Sequence, residues 1–169
     1  MSPRALISTL AVAVLAGTAS ADLIAFNFGM SGAQEVPANN SPAFGAGQLL
    51  YDTTTMTFDL DVHVYGIDLG NVTASHLHSA PAGVSGPVAI GLTPMQGAWV
   101  NDGLGIRLVL DDISIGAFQA DLFAGNLYIN LHTAAFPGGE IRGQLPAVPA
   151  PGTLTLAGAG LLAATRRRR

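Results

Sequence analysis

The 169-residue sequence contains no cysteine and no lysine, and these absences narrow both its chemistry and its partners. Without cysteine, disulfide bonds, thiolate metal sites and cysteine nucleophiles are excluded, so the hydrophobic core alone must hold the fold together. Residues 22–148 contain all eleven acidic residues but only two arginines, Arg107 and Arg142, which gives a formal charge of −9. This region has no basic surface that could displace the counterions of a nucleic acid, so nucleic-acid binding is excluded.

The first 21 residues have the layout of an export signal. Arg4 precedes an apolar run of about a dozen residues, and this run ends in Ala19-Ser20-Ala21, a small-x-small sequence that suits signal peptidase. The run is shorter than the roughly 20 residues that a membrane-spanning helix needs. We therefore predict a signal peptide over residues 1–21, cleaved by signal peptidase, and a mature chain that begins at Asp22.

The C-terminal segment, residues 147–169, combines a Pro-rich spacer, an apolar stretch from Thr153 to Thr165 and four terminal arginines. The apolar stretch is marginal for a permanent membrane span, and arginines directly behind it can act as a stop signal on the cytoplasmic side. This layout resembles the PEP-CTERM sorting tail, with Pro-Ala-Pro at 149–151 in place of the usual Pro-Glu-Pro. The resemblance implies transient membrane association and processing by an exosortase-type enzyme, in bacteria that secrete exopolysaccharide.

Two-residue alternation dominates the region between these ends, and helical periodicity is scarce. Within residues 55–65, apolar side chains from Met56 to Val64 alternate with polar ones, which is typical of a strand with one buried face. Shorter runs of the same kind are separated by turn signals rich in glycine, proline and asparagine. About eight such strands predict an all-β domain, an antiparallel sandwich or barrel, with one or two helical turns only within residues 115–125.

Three of the four histidines follow a pattern that suits metal binding. In the segment VTASHLH, alternation places His76 and His78 on one face, roughly 6.5 to 7 Å apart at Cα, so both imidazoles can lean toward one ion. His132 shares the polar face of another strand with Tyr128 and Asn130, and it would complete a three-nitrogen site if the two strands lie close together. In a chain without cysteine, such a site suits Zn(II) or Cu(II).

The same spacing also arises without a metal, because neutral imidazoles on a strand can bond to carbonyls or carboxylates. His63 lies between acids on a polar face and is expected to be a solvated surface residue. No catalytic motif is found, since the serines lack the context of an activated nucleophile. The carboxylate pairs Asp59/Asp61 and Asp111/Asp112 fit a strand face and a turn better than acid–base catalysis.

Arg142 and Glu140 lie two residues apart on one predicted strand, near the end of residues 22–148, called here the acidic region. Because Arg142 is one of only two cations there, we expect it to form a structural ion pair with Glu140 or with Glu35 rather than to bind a substrate. Gly138 and Gly139 permit a positive φ in the connection that precedes this strand.

Three segments, taken in order, resemble the CHRD domain, which is named after chordin and occurs in many exported bacterial proteins. They are MSGAQEVPANNSPAFGAG at 30–47, ASHLHSAPAGVSGPVAIGL at 74–92 and GNLYINLHTAAFPGGEIRGQL at 125–145. The resemblance implies an antiparallel Greek-key sandwich, immunoglobulin-like or superoxide-dismutase-like, without an established catalytic activity. His76 and His78 match the family's His-x-His, and His132 matches its His-Thr.

A weaker likeness is to Cu/Zn superoxide dismutase, in which a strand His-x-His supplies copper ligands inside a β-sandwich. The bridging histidine, the zinc-ligand loop and the cysteine pair of that enzyme have no counterparts here. The likeness therefore implies a shared fold more than a shared activity.

The sequence thus predicts three segments, namely a signal peptide at 1–21, a CHRD-like β-sandwich at 22–146 and a sorting tail at 147–169. We expect an exported protein of the cell envelope, cell surface or extracellular matrix, with a non-catalytic binding or structural role and a ligand that the sequence does not identify. The alternative is a metalloprotein that binds copper or zinc through His76, His78 and His132. Redox activity is one version of this alternative.

Overall fold

The computed structural model describes residues 22–93 and 98–148, and its architecture is all-β, as the alternation predicts. The predicted signal peptide and the sorting tail from residue 149 onward lie outside these ranges. Within the ranges described, no helix is both long enough and apolar enough to cross a membrane.

Nine strands follow one another along the described chain: β1 Leu23–Ser31, β2 Phe44–Asp52, β3 Thr57–Tyr65, β4 Val72–Ser79, β5 Val88–Thr93, β6 Val100–Asn101, β7 Ile106–Ser114, β8 Leu127–Thr133 and β9 Ile141–Gln144. A short helix, α1 Gln119–Ala124, lies within the segment for which the sequence predicts helical turns. It ends at Gly125, whose φ of 72° is in the left-handed region that favours glycine. Single 3₁₀ turns occupy Gly32–Gln34, Leu69–Asn71 and Gly116–Phe118.

All nine strands belong to one antiparallel sheet in the order β5-β4-β8-β9-β1-β2-β3-β7-β6, and this sheet curls into a half-barrel. The structure therefore differs from the predicted Greek-key sandwich of about eight strands. A single sheet results because β9 pairs with β8 on one side and with β1 on the other, which joins two groups of strands. The additional strand is β6, whose two residues are too few to show an alternating pattern.

The core packs against one face of the curled sheet. The predicted apolar face is buried from Phe58 to Val64 on β3, while Met56 lies in the preceding turn and is exposed. Asp59 and Asp61 lie on the outer side. β8 is different, because all of its residues except His132 are buried, including those on its polar face. Loops must therefore cover the second face of the sheet around β8.

Two loops cover this second face. The loop of residues 80–87, called here the Gly86 loop, connects β4 to β5, and the segment of residues 32–43 connects β1 to β2. The Ser85 hydroxyl donates to the Val36 carbonyl at 3.2 Å, which ties the two together. The Asn39 amide donates to the carbonyls of Gly139 (3.2 Å) and Glu140 (3.1 Å), which holds the second segment against the start of β9.

Candidate metal centre

The covered face of β4, β8 and β9 carries a row of polar side chains. Six of these side chains form the candidate metal centre and its immediate surroundings: His76, His78, Tyr128, Asn130, His132 and Arg142. The antiparallel register aligns His76 with Asn130 and His78 with Tyr128, and on the other side of β8 it aligns Asn130 with Arg142. β4 pairs directly with β8, so the strand that carries His76 and His78 lies beside the strand that carries His132, as a three-histidine site requires.

The structure brings His76, His78 and His132 together. Their ring centroids lie 5.5 Å (His76–His78), 5.1 Å (His76–His132) and 5.9 Å (His78–His132) apart. One nitrogen from each ring lies within 4.8 Å of the other two. Three nitrogens bound to one tetrahedral ion at 2.0–2.1 Å are separated by about 3.4 Å, so small rotations of the rings would close the distance.

Backbone carbonyls orient two of the three rings. The Nδ1 atom of His78 lies 3.0 Å from the Gly86 carbonyl oxygen, and the Nδ1 atom of His132 lies 3.0 Å from that of Pro137. Because a carbonyl oxygen can only accept, Nδ1 of each neutral ring carries the proton and donates it. Each ring then directs the lone pair of its Nε2 atom toward the cluster. A histidine that binds a metal through one ring nitrogen usually donates the N–H of the other to such a carbonyl.

Unpartnered buried polar atoms concentrate at this face. Six such side-chain atoms occur in the part of the chain that the structure describes, and five belong here: His76 Nδ1, His78 Nε2, His132 Nε2, Asn130 Oδ1 and Glu35 Oε1. Buried polar atoms nearly always have a hydrogen-bond partner, and an unpaired one calls for a specific explanation such as an ion. Three bare imidazole nitrogens that converge on one point fit the donor set of a metal site.

Electrostatics keep two of the three imidazoles, those of His76 and His78, in the form that binds a metal. Burial lowers the pKa of His76 below 6.5, and the neighbouring rings of His132 and His78 lower it further. Burial also lowers the pKa of His78, with smaller contributions from His132 and Arg142, although the hydrogen bond to Gly86 opposes the shift. Neutral imidazole is the metal-binding form, so these two rings can bind without first releasing a proton at pH 7.

Glu35 adds a second perturbed group beside the cluster. It lies in the covering segment and is 8% exposed. Burial raises its pKa from 4.5 to about 7, and the charge of Arg142 and the Asn130 side chain offset only part of this rise. Sequence reasoning did not assign Glu35 to the site, because nothing in its local sequence indicates that a loop buries it.

The prediction that Arg142 forms an ion pair is wrong. No carboxylate in the described residues lies within salt-bridge distance of Arg142; its guanidinium instead donates to carbonyls of the Gly86 loop and to Gln144. Glu140 accepts hydrogen bonds from the hydroxyls of Ser41 (2.7 Å) and Thr133 (2.5 Å) instead. The loops bring neutral partners to both charged groups, which the spacing of two residues could not reveal.

The remaining candidates lie away from the cluster. His63 is part of an outer charged network, with its Nδ1 atom 2.8 Å from Asp102, and it is half-buried. Asp61 forms a bidentate ion pair with Arg107, at 2.9 and 2.6 Å, between β3 and β7. Asp59 accepts a hydrogen bond from the Asp112 backbone at 2.9 Å. Asp59 and Asp61 therefore have structural contacts of the kind expected on a strand face. Asp111 and Asp112 do not form the predicted turn; they lie within β7, where its register with β3 shifts and Asp112 has a φ of 56°.

Comparison with known families gives two matches. Residues 26–145 match the CHRD domain, and residues 147–169 match the PEP-CTERM protein-sorting motif. Both resemblances drawn from the sequence are thereby confirmed, and the three histidines with their covering loops fall within the first match. No curated protein and no solved structure matches the chain.

Proposed function

Because this chain belongs to the CHRD domain family and carries a PEP-CTERM sorting motif, we propose that it is a non-catalytic binding or structural protein that holds one copper or zinc ion. The sorting motif indicates export to the cell envelope or surface and processing by an exosortase-type enzyme. In this proposal signal peptidase first removes residues 1–21, and the apolar tail then keeps the chain transiently at the membrane.

The observation that carries the metal proposal is the convergence of three unpartnered ring nitrogens, from His76, His78 and His132. If the rings only served the fold, each buried nitrogen would be expected to face a donor or an acceptor. The donor set contains imidazoles and no thiolate, which favours Cu(II) or Zn(II) over softer ions.

The coordination shell would be incomplete. No fourth histidine, aspartate or glutamate joins the three rings in the described ranges, so water or an external donor would complete a tetrahedral shell. His76 and His132 are only partly buried, which leaves a route by which such a donor reaches the ion. The site supports exchangeable binding better than a sealed structural role.

The test is a metal titration of the purified protein, followed by elemental analysis. We expect one equivalent of copper or zinc, lost in His76→Ala, His78→Ala and His132→Ala. The matched control is His63→Ala, which removes the fourth histidine and should keep the full equivalent. Acidification should release the ion as the imidazoles take up protons. The metal proposal fails if the protein binds no stoichiometric ion. It also fails if each of the three single variants still binds the full equivalent.

A redox-active metalloprotein is the second candidate, favoured by the open coordination position of a three-histidine copper site. Its test supplies superoxide: one superoxide would reduce bound Cu(II) to Cu(I) and leave as dioxygen, and a second, with two protons, would reoxidise Cu(I) and form hydrogen peroxide. Repeated turnover that free copper at the same concentration does not match would support this candidate. Copper that stays bound and inert would support the non-catalytic role.

A further inference from the structure

Arg142 is a buried cation that is bonded to a surface loop. It is 1% exposed and belongs to β9, which lies between β8 and β1 inside the sheet. Its Nη1 atom donates to the Val84 carbonyl at 2.8 Å, and its Nη2 atom donates to the Pro81 carbonyl at 3.2 Å and to Gln144 at 2.6 Å. Two of these contacts hold both sides of the turn in the Gly86 loop, in which the Val84 backbone donates to the Pro81 carbonyl at 3.2 Å.

The Gly86 loop in turn touches His78, one of the three clustered rings. The Gly86 carbonyl accepts from His78 Nδ1, and the Gly86 N–H donates to the Tyr128 hydroxyl at 3.1 Å. Gly86 packs so closely against the end of β4 that an added Cβ would lie 2.0 Å from the Ser79 carbonyl oxygen. The position of the Gly86 carbonyl, and with it the orientation of His78, thus depends on how the loop is fixed.

A stack of rings makes a second connection between Arg142 and His78. The guanidinium carbon of Arg142 lies 3.4 Å from the centroid of the Tyr128 ring. The Tyr128 ring stacks on the His78 ring with a centroid separation of 5.0 Å and an angle of 9°. Arg142 therefore reaches His78 by hydrogen bonds through the loop and by stacking through Tyr128.

We propose that Arg142 is a positioning residue of the metal centre, which fixes the Gly86 loop and the Tyr128 ring so that His78 presents Nε2 to the ion. The proposal rests on the proposed metal function. A guanidinium suits this role because its planar fork donates in several fixed directions while its face stacks on an aromatic ring. A lysine at this position would keep the charge but lose both the fork and the planar stack.

The test compares Cu(II) binding by the purified wild-type protein with that of Arg142→Met and Arg142→Lys. The readouts are the dissociation constant, measured by competition with a chelator, and the electron paramagnetic resonance spectrum of bound Cu(II). Loss of an outer contact to a metal ligand typically weakens binding about 10- to 100-fold. We expect a weakening of this order in both variants, with a spectrum that shows altered nitrogen coordination.

Arg107→Met and Arg107→Lys are the matched controls, because Arg107 is the other arginine of the acidic region and pairs with Asp61 away from the cluster. They should bind Cu(II) as the wild type does. Tyr128→Phe keeps the stack but removes the contact to the Gly86 N–H, and it gives a second measurement if Arg142→Met does not fold. We expect this variant to bind Cu(II) more weakly, with an altered spectrum.

Three results would overturn the proposal, and only the last of them would also overturn the metal function. If the wild type binds Cu(II) while folded Arg142 variants keep its dissociation constant and spectrum, Arg142 serves the fold only and the metal function stands. Wild-type affinity and spectrum in Tyr128→Phe would likewise reject the loop connection. If the wild-type protein binds no Cu(II), both the metal function and the positioning role fail.

Discussion

Glu35 shows how a single buried carboxyl can make this fold sensitive to pH. Gly139 leaves the space in which Glu35 and Asn130 meet, because an added Cβ there would lie 2.8 Å from Glu35 Oε1 and 2.7 Å from Asn130 Oδ1. The Asn130 amide favours the ionised form of Glu35, but burial outweighs it, and Asn130 Oδ1 has no donor of its own. A protonated Glu35 can supply one, which agrees with the direction of its pKa shift.

Glu35 should therefore destabilise the fold as the pH rises. Its pKa is about 7 in the folded protein and 4.5 in the unfolded reference, so the folded state retains a proton that the unfolded chain has released between these values. The contribution is complete below pH 4.5 and is lost as the pH rises through 7. We expect a loss of about 1–3 kcal/mol in the free energy of unfolding, measured by urea denaturation across this window.

Glu35→Gln provides the comparison, because glutamine resembles the protonated acid and does not titrate. The difference in unfolding free energy between wild type and variant isolates Glu35 from His76 and His78, whose lowered pKa values give the opposite slope. A difference that stays constant from pH 4.5 to 7 would contradict the assignment.

The three histidines themselves were predictable at this scale, but their environment was not. Alternation alone placed His76 and His78 on one face and His132 on a polar face. Neither the carbonyl of Gly86 nor that of Pro137 leaves a trace in the sequence, because every residue has a carbonyl group. The orientation of the rings therefore had to come from the structure.

Among the elements, the Gly86 loop combines close packing against β4 with a hydrogen bond to a clustered ring. Gly86→Ala places a methyl group against Ser79 and Ala80, so the loop must move away from β4. We expect lower thermal stability and weaker Cu(II) binding, since the Gly86 carbonyl moves away from His78. Differential scanning calorimetry of the metal-free protein and a chelator competition measure the two effects.

Gly91→Ala on β5 is the matched control for this substitution. No atom outside the neighbouring residues lies within 4 Å of an added Cβ there, and the position requires no positive φ. This variant should melt and bind Cu(II) as the wild type does. Wild-type behaviour of Gly86→Ala would show that the loop tolerates displacement and does not orient His78.

The sequence predicted where the strands and the helical turns lie, but it did not predict what packs against them. Eight strands and the helical turns near residue 120 follow from alternation and turn signals. The polar face of β8 indicated a solvated side, yet the structure buries it under two loops. The covering contacts join residues far apart in the chain, such as Ser85 with Val36 and Asn39 with Gly139, and no local pattern encodes such pairs.

At the scale of the whole molecule, the packed domain extends beyond the last strand to Val148, the last residue that the structure describes. Leu145 is fully buried, and its backbone donates to the Leu127 carbonyl at 2.9 Å. The Val148 backbone donates to the Phe123 carbonyl at 3.1 Å, and its side chain packs against the core. Packed contacts thus continue three residues beyond the matched CHRD region, 26–145, into the first residues of the matched sorting motif, 147–169.

Deleting residues 149–169 should therefore release a folded domain. Because Leu145 and Val148 keep their contacts, the melting temperature should remain within about 2 °C of that of the protein with its tail. Immunoblots of medium and envelope fractions should show the deletion variant in the medium. A longer deletion, from Leu145 onward, is the control for folding, since it removes a fully buried side chain and should cost about 2–5 kcal/mol. Retention of the shorter deletion variant at the envelope would mean that the domain itself, and not the tail, determines where the protein resides.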